Sequence, residues 1–541
     1  MVPKCAKSTF GILLMRTKFR LIFMKKIIYF LFTICILMFW SSCRKDFDFA
    51  PSTGNLGFSK DTIYLDTIFS NIGSSTYNLK VYNRSDDDIS IPTVRLSQGE
   101  SSNYRLNVDG LPGKEFQNVE LLANDSLFIF VETTADIQTL ALNSLEFLYT
   151  DAIEFDSGTN SQKVELVTLI KDAVFIYPDR DNTTGIVETL TFDADGDGND
   201  DETTLQGRFL EDSELTFTNE KPYVIYGYAA VDEGDVLTIE AGARVHFHAN
   251  SGLLVTNNAS LKVNGALSAD QELLENEVIF EGDRLEPLYT DIPGQWGTIW
   301  LYNGSIDNDI NYATIKNSTV GILSEGNQNA TDDKLTITNS QIYNSSNFGI
   351  LGRASSISAE NVVINASGQS SFAGTLGGRY NFTHCTLANY WNNSFRQFPA
   401  LFLNNYVTDE NNMPVGNDLF ARFNNCIIFG NDNPEIGFDN ISANLFDFKF
   451  TNCLIRFQDS SGNFSNDANY LTSNGDLYEE CIFNSDPDFE LPFENMLRIG
   501  ADSAANGEAS DDFIISPDIL GEPRTSPADI GAYKSTIFTE D

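Results

Sequence analysis

Between Ile315 and Phe483 one short phrase recurs: an apolar residue, a spacer, a polar residue that is usually Asn, then mostly a small residue and another apolar one. The polar positions are Asn317, Asn339, Asn361, His384, Asn405, Asn425, Asn452 and Glu480, spaced 22, 22, 23, 21, 20, 27 and 28 residues apart. A period of that size belongs to solenoids, whose repeats bury an apolar face only by stacking on one another. Around Asn317 the apolar alternation has period two on either side and slips phase by one across it. Period two means strand, and the slip means a corner, where Asn is one of the few non-Gly residues that tolerate a left-handed backbone. Parallel strands stack about 4.8 Å apart, so eight such coils imply a rod of roughly 40 Å.

In a stack of this kind like positions meet like positions, so corner asparagines can pass amide hydrogen bonds from coil to coil. His384 and Glu480 interrupt that ladder. The next position reads Ser318, Ser340, Val362, Cys385, Tyr406, Cys426, Cys453, Cys481, and the position two before the corner includes Phe382, Phe423, Phe450 and Tyr478. These predict interior columns of small residues and of rings. The arrangement resembles the right-handed parallel β-helix, the family of pectate lyases, bacterial surface proteins and autotransporter passengers. Leu237 to Phe247, Leu261 to Leu267, Val278 to Phe280 and Gly294 to Ile299 look like the opening coils of surface β-helices. Ser516 to Asp518, Gly521, Arg524 and Asp529 to Tyr533 are similar to the closing motif of that group. The resemblance covers about residues 221–541. It implies a fold and not a reaction, because this scaffold carries many activities.

Residues 1–43 hold seven Lys or Arg and no acid, and end in Lys25-Lys26, an apolar run from Ile27 to Trp40, and Ser41-Ser42-Cys43. A basic stretch, a short apolar stretch and small residues before a cysteine resemble a bacterial lipoprotein signal, with lipid added at Cys43 and Met24 as the natural start. Lys45-Asp46 resembles the tag of lipoproteins exported to the outside of the outer membrane. The implied address is therefore the outer membrane, surface-exposed, with the membrane engaged through the lipid. Taking the seven leader cations from the 34 in the chain leaves 27 against 76 acids, a formal charge of −49. That excludes nucleic acid as a partner and favours calcium or cationic surfaces. In the mature chain Cys385, Cys426, Cys453 and Cys481 are expected to form a ladder of free thiols, since in-register parallel side chains sit poorly for disulfide geometry.

The organisation read from these patterns is a leader at 1–43, a tether at 44–57, an antiparallel β-sandwich at 58–177, an acidic linker at 178–220 and the parallel β-helix with a C-terminal cap at 221–541. The sandwich rests on strands expected at Thr62 to Leu65, Tyr77 to Tyr82, Leu127 to Val131, Leu145 to Tyr149 and Val164 to Ile170. Its turns resemble immunoglobulin-like domains of bacterial envelope proteins, which implies a spacer. The fold class is thus all-β.

Asp193, Asp195, Asp197, Asn199 and Asp201, with Gly198 at the sixth place, set oxygens at alternate positions as a calcium loop does. The loop resembles those of dockerin and thrombospondin type 3 repeats. Thr204 stands where the closing acid is expected, and a solvated acidic linker is the competing reading. His246 and His248 flank Phe247 and are expected to point outward on one face; two histidines without a legible third ligand read as exposed polar positions. Two long segments flank His384: 368–380 with Arg379, and 388–399 with Tyr390, Trp391, Phe395, Arg396 and Phe398. Aromatics with arginines on a rigid scaffold suit carbohydrate, so Tyr390, Trp391, Phe395 and Arg396 are the candidate ligand-binding residues. In an enzyme Arg379, His384 or Arg396 would neutralise charge or act as base. No Gly-His-Gly with paired Asp, nucleophile elbow or phosphate loop is present. The expectation is a non-catalytic surface protein for adhesion, glycan binding or envelope structure, with polysaccharide or another surface protein as partner. The alternative is a polysaccharide lyase or another glycan-cleaving enzyme.

Overall fold

The computed structural model describes residues 49–156, 158–194, 198–326, 331–409 and 411–538. Of these, 49–63, 76–131 and 151–166 gather in one compact unit, and 64–75, 132–150 and 167–538 in a second. The leader, Cys43 and Lys45-Asp46 lie outside the described residues. Among the described residues no helix is long and apolar enough to cross a membrane.

In the second unit the expected stack of parallel coils is present, as a β-helix-like arrangement. Among the described residues one sheet has 11 strands, parallel throughout, and another has 18. Successive coils are in register, so one inward row reads Val245, Phe280, Ile315, Ile342, Ile364, Leu387, Ile428, Ile455. All eight are fully buried. The ring column is also present: Phe382, Phe423, Phe450 and Tyr478 follow one another at 5.3, 5.0 and 5.4 Å with interplanar angles of 23°, 15° and 2°. Each such pair contributes about 0.5–1.5 kcal/mol beyond the area it buries. The four thiols Cys385, Cys426, Cys453 and Cys481 are free.

Seven of the eight expected corners take the left-handed backbone, with φ of 65° at Asn317, 48° at Asn339, 53° at Asn361, 51° at His384, 52° at Asn425, 48° at Asn452 and 48° at Glu480. Asn405 does not. The strand after His384, Thr386–Asn389, pairs directly with Ile427–Gly430, so the coil from 384 to 425 is one long turn of the stack. Asn405 lies beside an antiparallel hairpin of Tyr406–Thr408 and Pro414–Gly416, and it spends its amide on the carbonyls of Ile441 and Asn444 at 3.1 and 3.2 Å.

Two boundaries differ from expectation. The solenoid begins before 221: Val174–Ile176 already pairs with Tyr223–Ile225, and Gly207 to Phe209 pairs with Tyr228 to Ala230. Residues 178–220 are therefore a first coil carrying an inserted hairpin, Thr189–Phe192 against Asp201–Phe209, and not a linker. The closing motif is a lateral strap. Leu497, Ile519, Ala532 and Tyr533 pack on Val363 and Ala388 of the 11-stranded sheet, and Ile499, Ala505 and Ile530 pack on Ile427, Phe429 and Leu454. The corner amides moor it. Asn361 donates to Pro517 O at 3.1 Å and Asn452 to Glu508 O at 2.9 Å, while Asn425 exchanges bonds of 3.1 and 2.7 Å with Ser510. Among the described residues coil-to-coil amide bonds run from Asn361 to Asn339 and from Asn339 to Asn311, each at 3.0 Å, and from Asn425 to His384 at 3.1 Å.

In the first unit Ala50–Pro51 pairs in parallel with residues 89–90, while the following pairs are antiparallel. Ile89–Leu96 pairs with Glu115–Leu121 and with residues 153–155, and Tyr77–Tyr82 pairs with residues 126–131. The Phe58 and Phe155 rings, from different sheets, meet at 4.8 Å.

Candidate functional site

In-register stacking places residue n of the strand Arg244–Phe247 beside residue n+35 of Val278–Gly282. His246 therefore faces Glu281, and His248, one residue past the strand, faces Asp283. The two histidines differ in surroundings. His246 is buried, with Nδ1 at 3.3 Å from Gly282 O and 3.6 Å from Glu281 and the Phe69 ring at 4.9 Å. Burial holds its imidazole below the ordinary histidine range against the pull of Glu281. The expectation that both histidines stand exposed is corrected for His246.

His248 Nδ1 lies 2.7 Å from Asp283 Oδ2, and the side chains are 46% and 6% exposed respectively. The carboxylate is buried behind a ring that remains open to solvent. Against a carboxylate, which accepts, the neutral imidazole places its proton on Nδ1 and its lone pair on Nε2. The imidazole stacks on Tyr226 at 4.3 Å and 21°. Burial, with the charge of Asp283 adding to it, pushes the Tyr226 hydroxyl up to about 12, so it stays protonated at neutral pH. A cavity of about 450 Å³ opens here, lined by Tyr177, Arg180, Gln206, Tyr226, His248 and Asn250 among others. Arg180 donates Nε–H to Gly185 O at 3.2 Å and pairs with no carboxylate among the described residues. An imidazole base, a guanidinium and two phenol rings thus share one apolar-walled cavity.

A second feature runs along the 18-stranded sheet. Leu254, Trp300, Leu323, Leu351, Ala373 and Phe402 occupy matching positions on successive coils; Leu254, beneath the inserted hairpin, and Ala373 are buried, and the other four are partly exposed. Beside them Glu325 receives the Trp300 indole N–H at 2.6 Å and Arg353 at 2.6 Å. At the near end Trp300 and Tyr302 meet edge to face at 5.3 Å beside a cavity of about 500 Å³. At the far end Phe398 stands edge-on to Phe402 at 5.3 Å.

The residues singled out around His384 are mostly engaged in internal bonds. Arg396 and Glu435 form a bidentate pair at 2.6 and 2.7 Å with side chains 2% and 0% exposed, and Glu435 also accepts the Ala400 and Asp432 amides. Trp391 is buried and donates to Ser394 Oγ at 3.0 Å; Tyr390 is edge-on to Phe489 and Phe493. Arg379 pairs with Asp333 at 2.9 Å. Of the four expected ligand contacts Phe395 is exposed, at 87%. Of the calcium-loop residues, Asp195 and Asp197 lie outside the described residues. Asp193 accepts the Gly198 amide at 3.1 Å and Asp201 the Ala194 amide at 3.2 Å, which places the loop at the tip of the inserted hairpin. Among the described residues no cluster of three or more His, Cys, Asp or Glu is placed to hold a metal.

His384 sits beneath the strap, with Nδ1 3.2 Å from Gly531 O and Nε2 3.1 Å from the Asn425 amide. Burial, aided by the Arg524 charge, lowers its pKa to about 3. The unfolded chain binds a proton near pH 6.5, so stability is full above that value and falls by about 1.4 kcal/mol per unit as pH drops toward the folded value. His384→Asn, which restores the ladder residue and suits the left-handed corner, is expected to flatten urea-derived stability between pH 6.5 and 4.5 by about one proton's worth. An unchanged slope would place that proton elsewhere.

No family model matches the chain, and no curated protein does. Among solved structures it is similar to a family 123 glycoside hydrolase from Clostridium perfringens, at TM-score 0.16 and 10% identity over 23% of this chain and 30% of the other. It is similar to PapD-like domain 7 of human CEP192, at TM-score 0.15 and 13% identity over 24% of this chain and 94% of that one. The catalytic unit of the GH87 alpha-1,3-glucanase from Streptomyces thermodiastaticus gives TM-score 0.19 and 10% identity over 70% of this chain and 63% of that one. At such TM-scores none of these likenesses carries an argument for this chain.

Proposed function

We propose that the chain is a surface-displayed lipoprotein that binds a neutral polysaccharide along the outward face of its 18-stranded sheet. The observation that supports this reading is the column from Trp300 to Phe402, aromatic at both ends and flanked by the Glu325–Arg353 pair. Rings stack on sugar faces while carboxylate and guanidinium bond hydroxyls, and the rise of one coil is close to the length of one sugar unit. A formal charge of −42 on the whole chain favours a neutral ligand over an acidic one. The lipid at Cys43, the surface address, the right-handed winding, an immunoglobulin-like sandwich as spacer and calcium at Asp193, Asp195, Asp197, Asn199 and Asp201 belong to the same proposal.

Retention of the chain on a panel of neutral and acidic polysaccharides tests it. Trp300→Ala is expected to weaken retention on the neutral ones by about tenfold or more, as truncating a central aromatic anchor does. Equal retention of the variant removes this face from the proposal. Glycan cleavage is the competing reading, and shortened chains after long incubation would establish it.

A further inference from the structure

We infer that the cavity at His248 is an ester-hydrolysing site for a small neutral acyl group, such as acetyl, carried on a sugar hydroxyl. The sugar as carrier rests on the glycan reading above; the ester chemistry stands apart from it.

Three reaction classes compete for an imidazole of this kind. Glycoside hydrolysis uses two carboxyl groups flanking the bond. The nearest carboxylate here, Asp283, is buried and committed to His248 Nδ1. Elimination needs an acidic sugar, which a chain with 76 acids against 34 bases repels. Ester hydrolysis by water needs only a base and donors for an oxyanion. Those are present: His248 as base, and Arg180 and Asn250 lining the same cavity. Pro178, Val187 and Tyr177 give it an apolar wall for the acyl carbon.

In the step, a water oxygen adds to the ester carbonyl carbon while His248 Nε2 takes one of its protons. The carbonyl oxygen becomes an oxyanion beside Arg180. Collapse re-forms the C=O and breaks the bond to the sugar oxygen, which takes the proton back from His248. The products are the free carboxylic acid and the sugar hydroxyl, and the imidazole is neutral again. Asp283 acts as a positioning residue: it holds the Nδ1 proton and stabilises the imidazolium formed in between.

Only three histidines exist in the chain, and His246 and His384 are buried, so background hydrolysis by surface imidazoles is minimal. The test is acetate release by the intact chain from 4-nitrophenyl acetate and from O-acetylated xylan. His248→Ala is expected to slow both by about 100-fold or more. Asp283→Asn is expected to lower kcat and displace its pH profile with KM unchanged, whereas a smaller folded fraction would leave the pH profile in place. Arg180→Gln, at an exposed side chain, is expected to slow both substrates with the melting temperature unchanged, which keeps the test meaningful if His248→Ala unfolds. Release no faster than in buffer, or release undiminished in His248→Ala, overturns the assignment. Hydrolysis of 4-nitrophenyl acetate with none from the acetylated glycan would leave the ester site standing and remove the sugar as its carrier.

Discussion

Arg396→Ala is expected to destabilise the second unit by about 3–5 kcal/mol, the cost of leaving a buried charge without its partner. The partner is Glu435, wholly buried, whose two oxygens accept from the two terminal guanidinium nitrogens and from the amides of Ala400 and Asp432. Burial pushes the Glu435 carboxyl up while Arg396 pulls it down, and burial prevails. Without the arginine it would take up a proton or draw in water, and the turn at 396–400 would lose its anchor on the neighbouring coil. Arg396→Met with Glu435→Leu should recover much of the loss, because replacing both members of a buried pair is often near neutral. Urea melts of the two variants check this. A single variant as stable as the parent would show that solvent reaches the pair. The same result bears on function: activity lost in Arg396→Ala would report unfolding, not a charge neutraliser at work.

Arg524→Ala is expected to release the strap, also at about 3–5 kcal/mol, since several buried acceptors lose their donor at about 1–3 kcal/mol each and water recovers part. Its guanidinium donates to Asn361 Oδ1 at 2.6 Å, Ile515 O at 2.9 Å, Gly531 O at 2.9 Å and Ala532 O at 2.7 Å. Burial draws its pKa down to about 10, still charged at neutral pH. The expected signature is local: faster amide exchange at Ala532, whose N–H bonds Thr386 Oγ1 at 3.1 Å, and at Gly531, whose N–H bonds Asn425 O at 2.9 Å. Exchange unchanged at both would mean that apolar packing alone holds the strap.

Much of the solenoid was legible because its period is written into side chains that must stack. The ring column and seven left-handed corners follow directly from the recurring phrase. Asn405 carried the phrase without the corner: a hairpin excursion supplies the same local composition, and spacing alone cannot tell an excursion from a coil. The first coil was hidden for the opposite reason, since the inserted 189–209 hairpin breaks the period that would reveal it. In the first unit Ile89–Leu96 went unread because Pro92 interrupts it, and Glu115–Leu121 because it is a mostly polar edge strand. The site was less legible still. Asp283 becomes the partner of His248 only once the 35-residue register between their strands is known, and Glu435 stands 39 residues from Arg396. Sequence shows the charged residue; coil register decides whether it faces solvent or a partner.

A stack whose coils touch only their neighbours can fray from either end, each coil lost separately. The strap changes that connectivity. Arg524 reaches Asn361 across 163 positions, and Tyr533 reaches Gln341 across 192. Coils in the middle of the array are therefore incomplete until residues 515–533 have been synthesised and have travelled back. The array should melt as one block over those coils, and a chain lacking residues 512–538 should lose stability far from the cut. Arrival of the 515–533 strap is thereby coupled to the rigidity of the midsection.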